Sequence, residues 1–443
     1  MLKVAMQAMT SAHAGFRRVA AGILALCIVG GVSAAVHAVV QEDAARQLLE
    51  TADEIVQQVA KIRGLVPKAP INKGVKTKEE ISEYLVRSVS KHYDEKELSR
   101  EGKLLEKAGF IPDGSQYKDL VMRLLTEQVG GYYDPDEKTF FIAGWLPMEQ
   151  QRPVMVHELT HALQDQHFDL GRLLDEDARL KNDDRALARK AVFEGDGMAV
   201  MLDYLLQPMG KTFLQLPDLV FVMRSQFTLM DSQFAVFRDA PMFLKETLLF
   251  PYGYGAAFLQ KVRAGDQPWS SVDKIYGDLP ESTEQIIHAE KYLTIRDSPA
   301  PLPEEDVART FGERWRKGYE NVFGEFSLFL LLKIHLGEER SKRAAAGWDG
   351  DRVRLVEDVS GDRSFVLLES VWDTEDEAEE FHQALEDWLP RRFPEAEKLA
   401  PADGSSQGVT YSRDAGLSFA QRRGAKVRLV LDIPRETASR LGP

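Results

Sequence analysis

The chain has 443 residues, 44% apolar and 28% charged, which sets aside disordered, collagen-like and multispan membrane classes. Acidic residues outnumber basic ones 70 to 56, for a formal net charge of −14. That balance argues against a general nucleic-acid binder, which needs basic patches to displace counterions. The single cysteine, Cys27, excludes an intramolecular disulfide and a cysteine-built zinc site.

In chain order, Lys3, Arg17 and Arg18 precede an uncharged stretch of 22 residues, Val19–Val40, and charge resumes at Glu42 and Asp43. As a helix this stretch covers the ~30 Å of a bilayer core. Basic residues before it and acidic ones after predict an inside-to-outside orientation. Residues 1–41 therefore read as a signal anchor, or as a signal peptide cut after Ser33-Ala34-Ala35 or Val36-His37-Ala38. Either way the body is expected outside the cytoplasm, membrane-anchored in the first case and periplasmic or secreted in the second. Leu26 is too bulky before Cys27 for lipid-modifying cleavage, so Cys27 reads as a small apolar residue of the span.

From Glu42 to Arg63, Leu48, Leu49, Ala52, Ile55, Val56, Val59 and Ile62 follow helical spacing, and Pro67 and Pro70 mark a linker. Thr77 and Glu80 fit a capping box ahead of a second amphipathic helix. Lys118–Gln128 predicts another helix, broken by Gly130-Gly131. Asp134-Pro135-Asp136 predicts a turn, and Thr139–Ala143 a strand, with an edge on which an extended peptide could be held. Helices are expected over Arg152–His167 and Arg185–Leu206, with an acidic insert, Asp175–Asp184, between them. The middle, to about Leu336, reads as mostly helical, with Phe250-Pro251-Tyr252-Gly253-Tyr254-Gly255 as an aromatic turn. Near Ala344 the composition changes. Strands are predicted over Arg352–Glu357, Ser364–Val371, Gly408–Ser412 and Ala425–Leu431, with a charged helix over Asp376–Leu389. The expected fold class is α+β: a signal segment (1–41), a helix and linker (42–70), a mainly helical body with a short sheet (71–343) and a small C-terminal α+β domain (344–443).

The segment that carries chemistry is His157-Glu158-Leu159-Thr160-His161, an HExxH pattern. On a helix, positions i and i+4 share a face, so the two imidazoles can bind one Zn²⁺. Glu158 lies beside the ion and can take a proton from water made acidic by the metal. The setting is apolar and periodic, with Val154, Val156, Leu159, Ala162 and Leu163. A third ligand is needed. His167, six residues on, could return only if the chain turned sharply after His161. The residues between are helix-competent, and a continuing helix carries His167 ~9 Å along the axis, where it reads as a helix-end residue. Glu194 sits in an apolar stripe of Leu187, Ala191, Met198, Leu202 and Leu205, where an unpaired carboxylate would be costly. It reads as the third ligand or as half of a buried salt bridge. Gly195 and Gly197, expensive inside a helix, suggest close approach of another backbone. Asp196 reads either as a residue that orients a ligating histidine or as a solvent-facing carboxylate.

The string His157-Glu-Leu-Thr-His161-Ala-Leu with a downstream glutamate resembles the gluzincin zinc metallopeptidases, the thermolysin-like clan. The longer run from His157 to Phe168, the pair Glu194-Gly195, the segment Ser282–His288 and the segment Gly347–Arg352 are similar to those of a set of uncharacterised exported bacterial proteins. The resemblance implies His157, His161 and Glu194 as zinc ligands and Glu158 as general base. The clan's aspartate four residues after the third ligand is Met198 here. Tyr252, Tyr254 and His288 are candidate donors to an oxyanion. The expected activity is zinc-dependent hydrolysis of peptide or protein substrates, with membrane contact through the N-terminal segment and no nucleic-acid partner. The alternatives are a zinc-bound but inactive envelope binding or scaffold protein, and a scaffold acting through its C-terminal domain with HExxH fortuitous.

Overall fold

A computed structural model describes residues 34–92, 94–128, 131–145, 147–179, 181–230, 234–399 and 409–441. Among these no helix is long and apolar enough to cross a membrane. The expected span over Val19–Val40 lies mostly outside them, as does Cys27.

Helix α1 (Ala34–Arg63) buries Leu48, Ala52, Ile55, Val56 and Val59, the stripe read from the sequence. After the proline linker comes a strand that the pattern does not announce, β1 (Asn72–Lys76). Thr77 and Glu80 then cap α2 (Lys78–His92) reciprocally: Thr77 N–H donates to Glu80 Oε2 at 2.8 Å, and Glu80 N–H to Thr77 Oγ1 at 3.3 Å. Helices α3 (Glu95–Ala108) and α4 (Tyr117–Gln128) lead to the hairpin β2 (Gly131–Asp134) and β3 (Thr139–Ala143).

The three strands are ordered β1-β3-β2, with β1 parallel and β2 antiparallel to β3. The expectation of an open edge at Thr139–Ala143 is thus corrected: β3 is the central strand and both its edges are paired. The reason lies in its composition. Phe140, Phe141, Ile142 and Ala143 are all buried, a continuous apolar run suited to a strand covered on both faces.

Helix α5 (Met148–Phe168) runs off the hairpin, and the buried Gln151 side chain donates to the Ala143 carbonyl at the end of β3. It ends where Asp169 turns left-handed at φ 58°. After α6 (Leu170–Arg179), the Asn182 side chain caps α7 (Asp183–Leu206) by accepting from Arg185 N–H at 2.8 Å. Helix α8 (Leu219–Met230) precedes α9 (Met242–Val262). The expected aromatic turn at Tyr252 and Tyr254 is instead the middle of α9. Gly255 is the reason: a Cβ there would lie 2.0 Å from the Ala191 carbonyl oxygen, and one at Gly195 would lie 2.4 Å from Gly255 C. The two glycines let α7 and α9 pack backbone to backbone, and that packing overrides the weak local propensity.

Helix α10 (Thr283–Ile287) precedes a seven-stranded sheet ordered β4-β5-β6-β10-β9-β8-β7, antiparallel throughout. Its strands are β4 (Trp315–Asn321), β5 (Trp348–Asp358), β6 (Ser364–Trp372), β7 (Glu397–Leu399), β8 (Thr410–Arg413), β9 (Gly416–Arg423) and β10 (Lys426–Ile433). The sheet takes in β4, which precedes the composition change near Ala344. Between β4 and β5 lie α11 (Gly324–Leu336) and α12 (Glu338–Ala345), and α13 (Glu375–Arg392) follows β6. Alternation along β6 divides the core. Val366 and Leu368 join the body's core, while Phe365 and Leu367 join a smaller cluster with Phe311, Trp315 and Val430 on the other face. The body and one face of this sheet therefore share a continuous apolar core. The molecule is α+β.

Candidate metal centre

Helices α5 and α7 bring together three side chains separated by up to 37 positions. His157 Nε2 lies 3.0 Å from His161 Nε2 and 3.1 Å from Glu194 Oε2, and His161 Nε2 lies 3.3 Å from the same oxygen. Glu194 and His161 are fully buried, and His157 is 4% exposed. Ligand atoms around a tetrahedral zinc at about 2.0–2.1 Å stand about 3.3–3.4 Å apart, so this triangle has nearly the size the ion requires. Two imidazoles and one carboxylate are also the donor set of zinc sites that keep a position open. The residues fit the ion.

The spacing of each ligand has a local cause. Positions 157 and 161 are one turn apart, so their rings project from one face of α5. Gly197 makes room on α7: a Cβ there would meet His157 Cε1 at 2.8 Å and Nδ1 at 2.9 Å. Glycine is thus required for contact with a side chain as well as with a backbone.

Around the triangle stands a layer of partners. The His161 Nδ1 hydrogen-bonds Gln164 Oε1 at 2.7 Å, and Gln164 Nε2 donates to the Phe193 carbonyl at 3.1 Å, next to Glu194. His157 is hydrogen-bonded to the Gly197 backbone. Such contacts fix ring orientation and tautomer. Glu194 also accepts from the Tyr252 hydroxyl, and its Oε1 lies 3.7 Å from Lys190 Nζ. The carboxylate of Glu158 accepts the Tyr133 N–H of β2 at 3.0 Å. Tyr133 Oη in turn donates to Asp165 Oδ2 at 2.7 Å, as does Lys138 Nζ. The hairpin is thus pinned to α5 at both Glu158 and Asp165.

The metal-free electrostatics are strained. Burial pushes the Glu158 carboxyl well above its usual range and lowers His157. Burial also opposes charge on His161, but Glu194, then Glu158 and Gln164, outweigh it and lift the ring to about 9. Lys190, 2% exposed, falls to about 8 through burial, against the pull of Glu194. Burial, reinforced by Glu194 and Glu158, holds the Tyr252 phenol well above 10. A divalent cation at the triangle would offset the two carboxylates that burial penalises.

Of the other sequence candidates, Tyr252 reaches this centre, its ring centroid 6.0 Å from that of His157. Tyr254 does not; it stacks on Phe250 on another face of α9. His288 pairs with Glu325 at 2.9 Å, and His167 Nε2 bonds the Val66 carbonyl at 2.8 Å. Asp196 meets neither of its two readings. It is fully buried, accepts from Arg63 Nε at 2.7 Å and from Tyr276 Oη at 2.8 Å, and locks α7 to the end of α1. Sequence reasoning missed Lys190, Gln164 and the Tyr133 amide. Lys190 alone had a findable signal, since it stands one turn before Glu194 on the same face.

A family described only as a domain of unknown function, DUF8575, matches residues 311–441, which span the seven-stranded sheet and begin well after the HExxH helix. No curated protein and no solved structure matches the chain.

Proposed function

We propose that the chain is a zinc-dependent hydrolase acting on peptide bonds. The observation that carries this reading is the 3.0–3.3 Å triangle of two imidazole nitrogens and one carboxylate oxygen, with Glu158 on the intervening turn. His157, His161 and Glu194 would hold the ion. Bound zinc would supply Lewis acidity toward the scissile carbonyl and lower the pKa of water to about 7. Glu158, oriented by the Tyr133 amide, takes one proton from the attacking water as the new C–O bond forms. As the C–N bond breaks it gives that proton to the departing amine. Tyr252 is the candidate donor to the carbonyl oxygen in the tetrahedral state, a role in which its single hydroxyl proton would turn from Glu194 to the substrate. His157 and Tyr252 keep 4% and 7% exposure. The thermolysin-like resemblance agrees with this ligand set.

The near-complete burial of the ligands favours one rival, a zinc-bound protein without turnover. Glu158→Gln separates the two. Wild type is expected to hold about one zinc per chain, by metal analysis, and to cleave fluorescently labelled unfolded casein. Glu158→Gln is expected to keep the zinc and lose cleavage. A zinc-loaded wild type that cleaves nothing supports the rival, and a Glu158→Gln variant that still cleaves sinks the mechanism.

A further inference from the structure

On another face of α9 from the metal centre, Tyr254 and His288 line a separate cavity of about 430 Å³. Its volume lies within the range of small-molecule sites. Its walls are aromatic: Phe221 from α8, Tyr254 from α9, and Phe326 and Phe329 from α11. Phe221 is 66% exposed and forms an apolar rim. Also lining the cavity is Glu325, a carboxylate only 4% exposed. One of its oxygens, Oε1, is bonded to His288 Nε2 at 2.9 Å, while Oε2 is buried with no hydrogen-bond partner among the described residues. Leaving such an oxygen unmatched is costly, and a ligand N–H would satisfy it.

The sign of the ligand follows from the neighbouring charges. Arg224 and Lys342 also line the cavity, but both are engaged. Glu338 takes Arg224 at 2.9 Å, Lys333 at 3.1 Å and Lys342 at 2.8 Å, and Glu246 takes Arg224 at 3.1 Å and Lys333 at 2.8 Å. Adding Glu325 and Asp218 sets four carboxylates in and behind the wall against these three cations, a surplus of one negative charge once His288, whose pKa the Glu325 hydrogen bond raises, has given up its proton. Aromatic faces add further attraction for a cation.

We propose that this cavity binds a primary ammonium group carried on an apolar body, with the ammonium on Glu325 and the body among Phe221, Tyr254, Phe326 and Phe329. Two sources present that chemistry: a free arylalkylamine, and the amino-terminal residue of a peptide that begins with an apolar side chain. The site does not depend on the metal centre.

The test is calorimetric titration of the full chain with phenylethylamine, with the tripeptide Phe-Ala-Ala and with 3-phenylpropionate. Phenylethylamine is expected to bind with a Kd on the order of 0.1–1 mM, and 3-phenylpropionate at least about tenfold more weakly. Glu325→Gln, which keeps the shape of the side chain, is expected to weaken the amine by about tenfold or more. Should that variant fail to fold, Phe221→Ser at the exposed rim is expected to weaken it by about threefold to tenfold. Binding of the amine alone assigns a free amine, and binding of the tripeptide as well assigns a peptide terminus. The proposal is overturned if phenylethylamine does not bind at about 10 mM, if the carboxylate probe binds equally well, or if a folded Glu325→Gln or Phe221→Ser binds like wild type.

Discussion

Gly197→Ala should separate the metal centre from the fold. The added methyl would sit 2.8 Å from His157 Cε1 and 2.9 Å from Nδ1. Ordinary carbon contacts are about 3.5–4.0 Å, so the ring has to recede by about 0.7–1.2 Å. A metal site tolerates misplacement of about 0.5 Å, so His157 would leave its place in the triangle. Disturbing the contacts that orient a ligand typically lowers affinity by about 10–100-fold, and displacing the ligand itself belongs at the upper end. By linkage, zinc then stabilises the variant by about 1.4–2.7 kcal/mol less than it does wild type. The metal-free chain should behave differently. Alanine is favoured over glycine within a helix by about 1 kcal/mol, which offsets the cost of moving one ring. Competition against a chromophoric chelator reads the affinity, and thermal melts in EDTA and in zinc read the stability. Wild-type zinc affinity in Gly197→Ala would refute the geometry, and so would a metal-free melting point well below that of wild type.

Gly255→Ala should do the reverse. Its methyl would fall 2.0 Å from the Ala191 carbonyl oxygen, so two helix backbones have to part. A loss of about 1–3 kcal/mol is expected in melts with or without zinc, and an unchanged melting point would contradict the close packing of α7 and α9. Gln164→Ala frees the His161 ring and should lower zinc affinity by about 10–100-fold in the chelator assay; because it also removes the side-chain donor to the buried Phe193 carbonyl, the metal-free stability should fall by about 1–3 kcal/mol, and an unchanged zinc affinity would contradict the role given to Gln164. The hydrogen bond to Glu325 raises the pKa of His288 above its usual value. The folded state therefore holds that proton more tightly than the unfolded chain, and the stabilisation is full below about pH 6.5 and fades as the pH passes the raised value. The stability gap between wild type and His288→Gln, measured by denaturant titration across that window, should narrow as pH rises; a gap that widens would reverse the assignment.

Periodicity made much of this fold legible. The apolar stripe of α1, the capping box at Thr77, the helix around HExxH and the two-residue alternation in β5, β6 and β10 all declare themselves locally. Strands β1 (Asn-Lys-Gly-Val-Lys) and β2 (Gly-Tyr-Tyr-Asp) do not, because they form only against β3. The aromatic string at 250–255 looks like a turn until Gly255 is set against Ala191, a contact between positions 64 apart. The candidate site divides in the same way. His157, Glu158 and His161 are legible from one turn of helix, and Glu194 from a carboxylate placed in an apolar stripe. The groups around them are not. Gln164 occupies the place where a glycine would have signalled a sharp turn. The Tyr133 amide is a backbone donor, which no side-chain pattern reports. Asp196 could not be assigned because its partner, Arg63, is 133 positions away.

That last pair ties the beginning of the body to its chemistry. Arg63 ends α1, and its guanidinium, fully buried, engages a carboxylate two residues beyond Glu194. Proteolytic shedding of the first helix would leave Asp196 with the Tyr276 hydroxyl but without its countercharge, a defect of up to about 3–5 kcal/mol sited two residues from Glu194. Cleavage at the linker is therefore expected to loosen the turn of α7 that presents Glu194, which makes the leading helix part of the candidate centre's support.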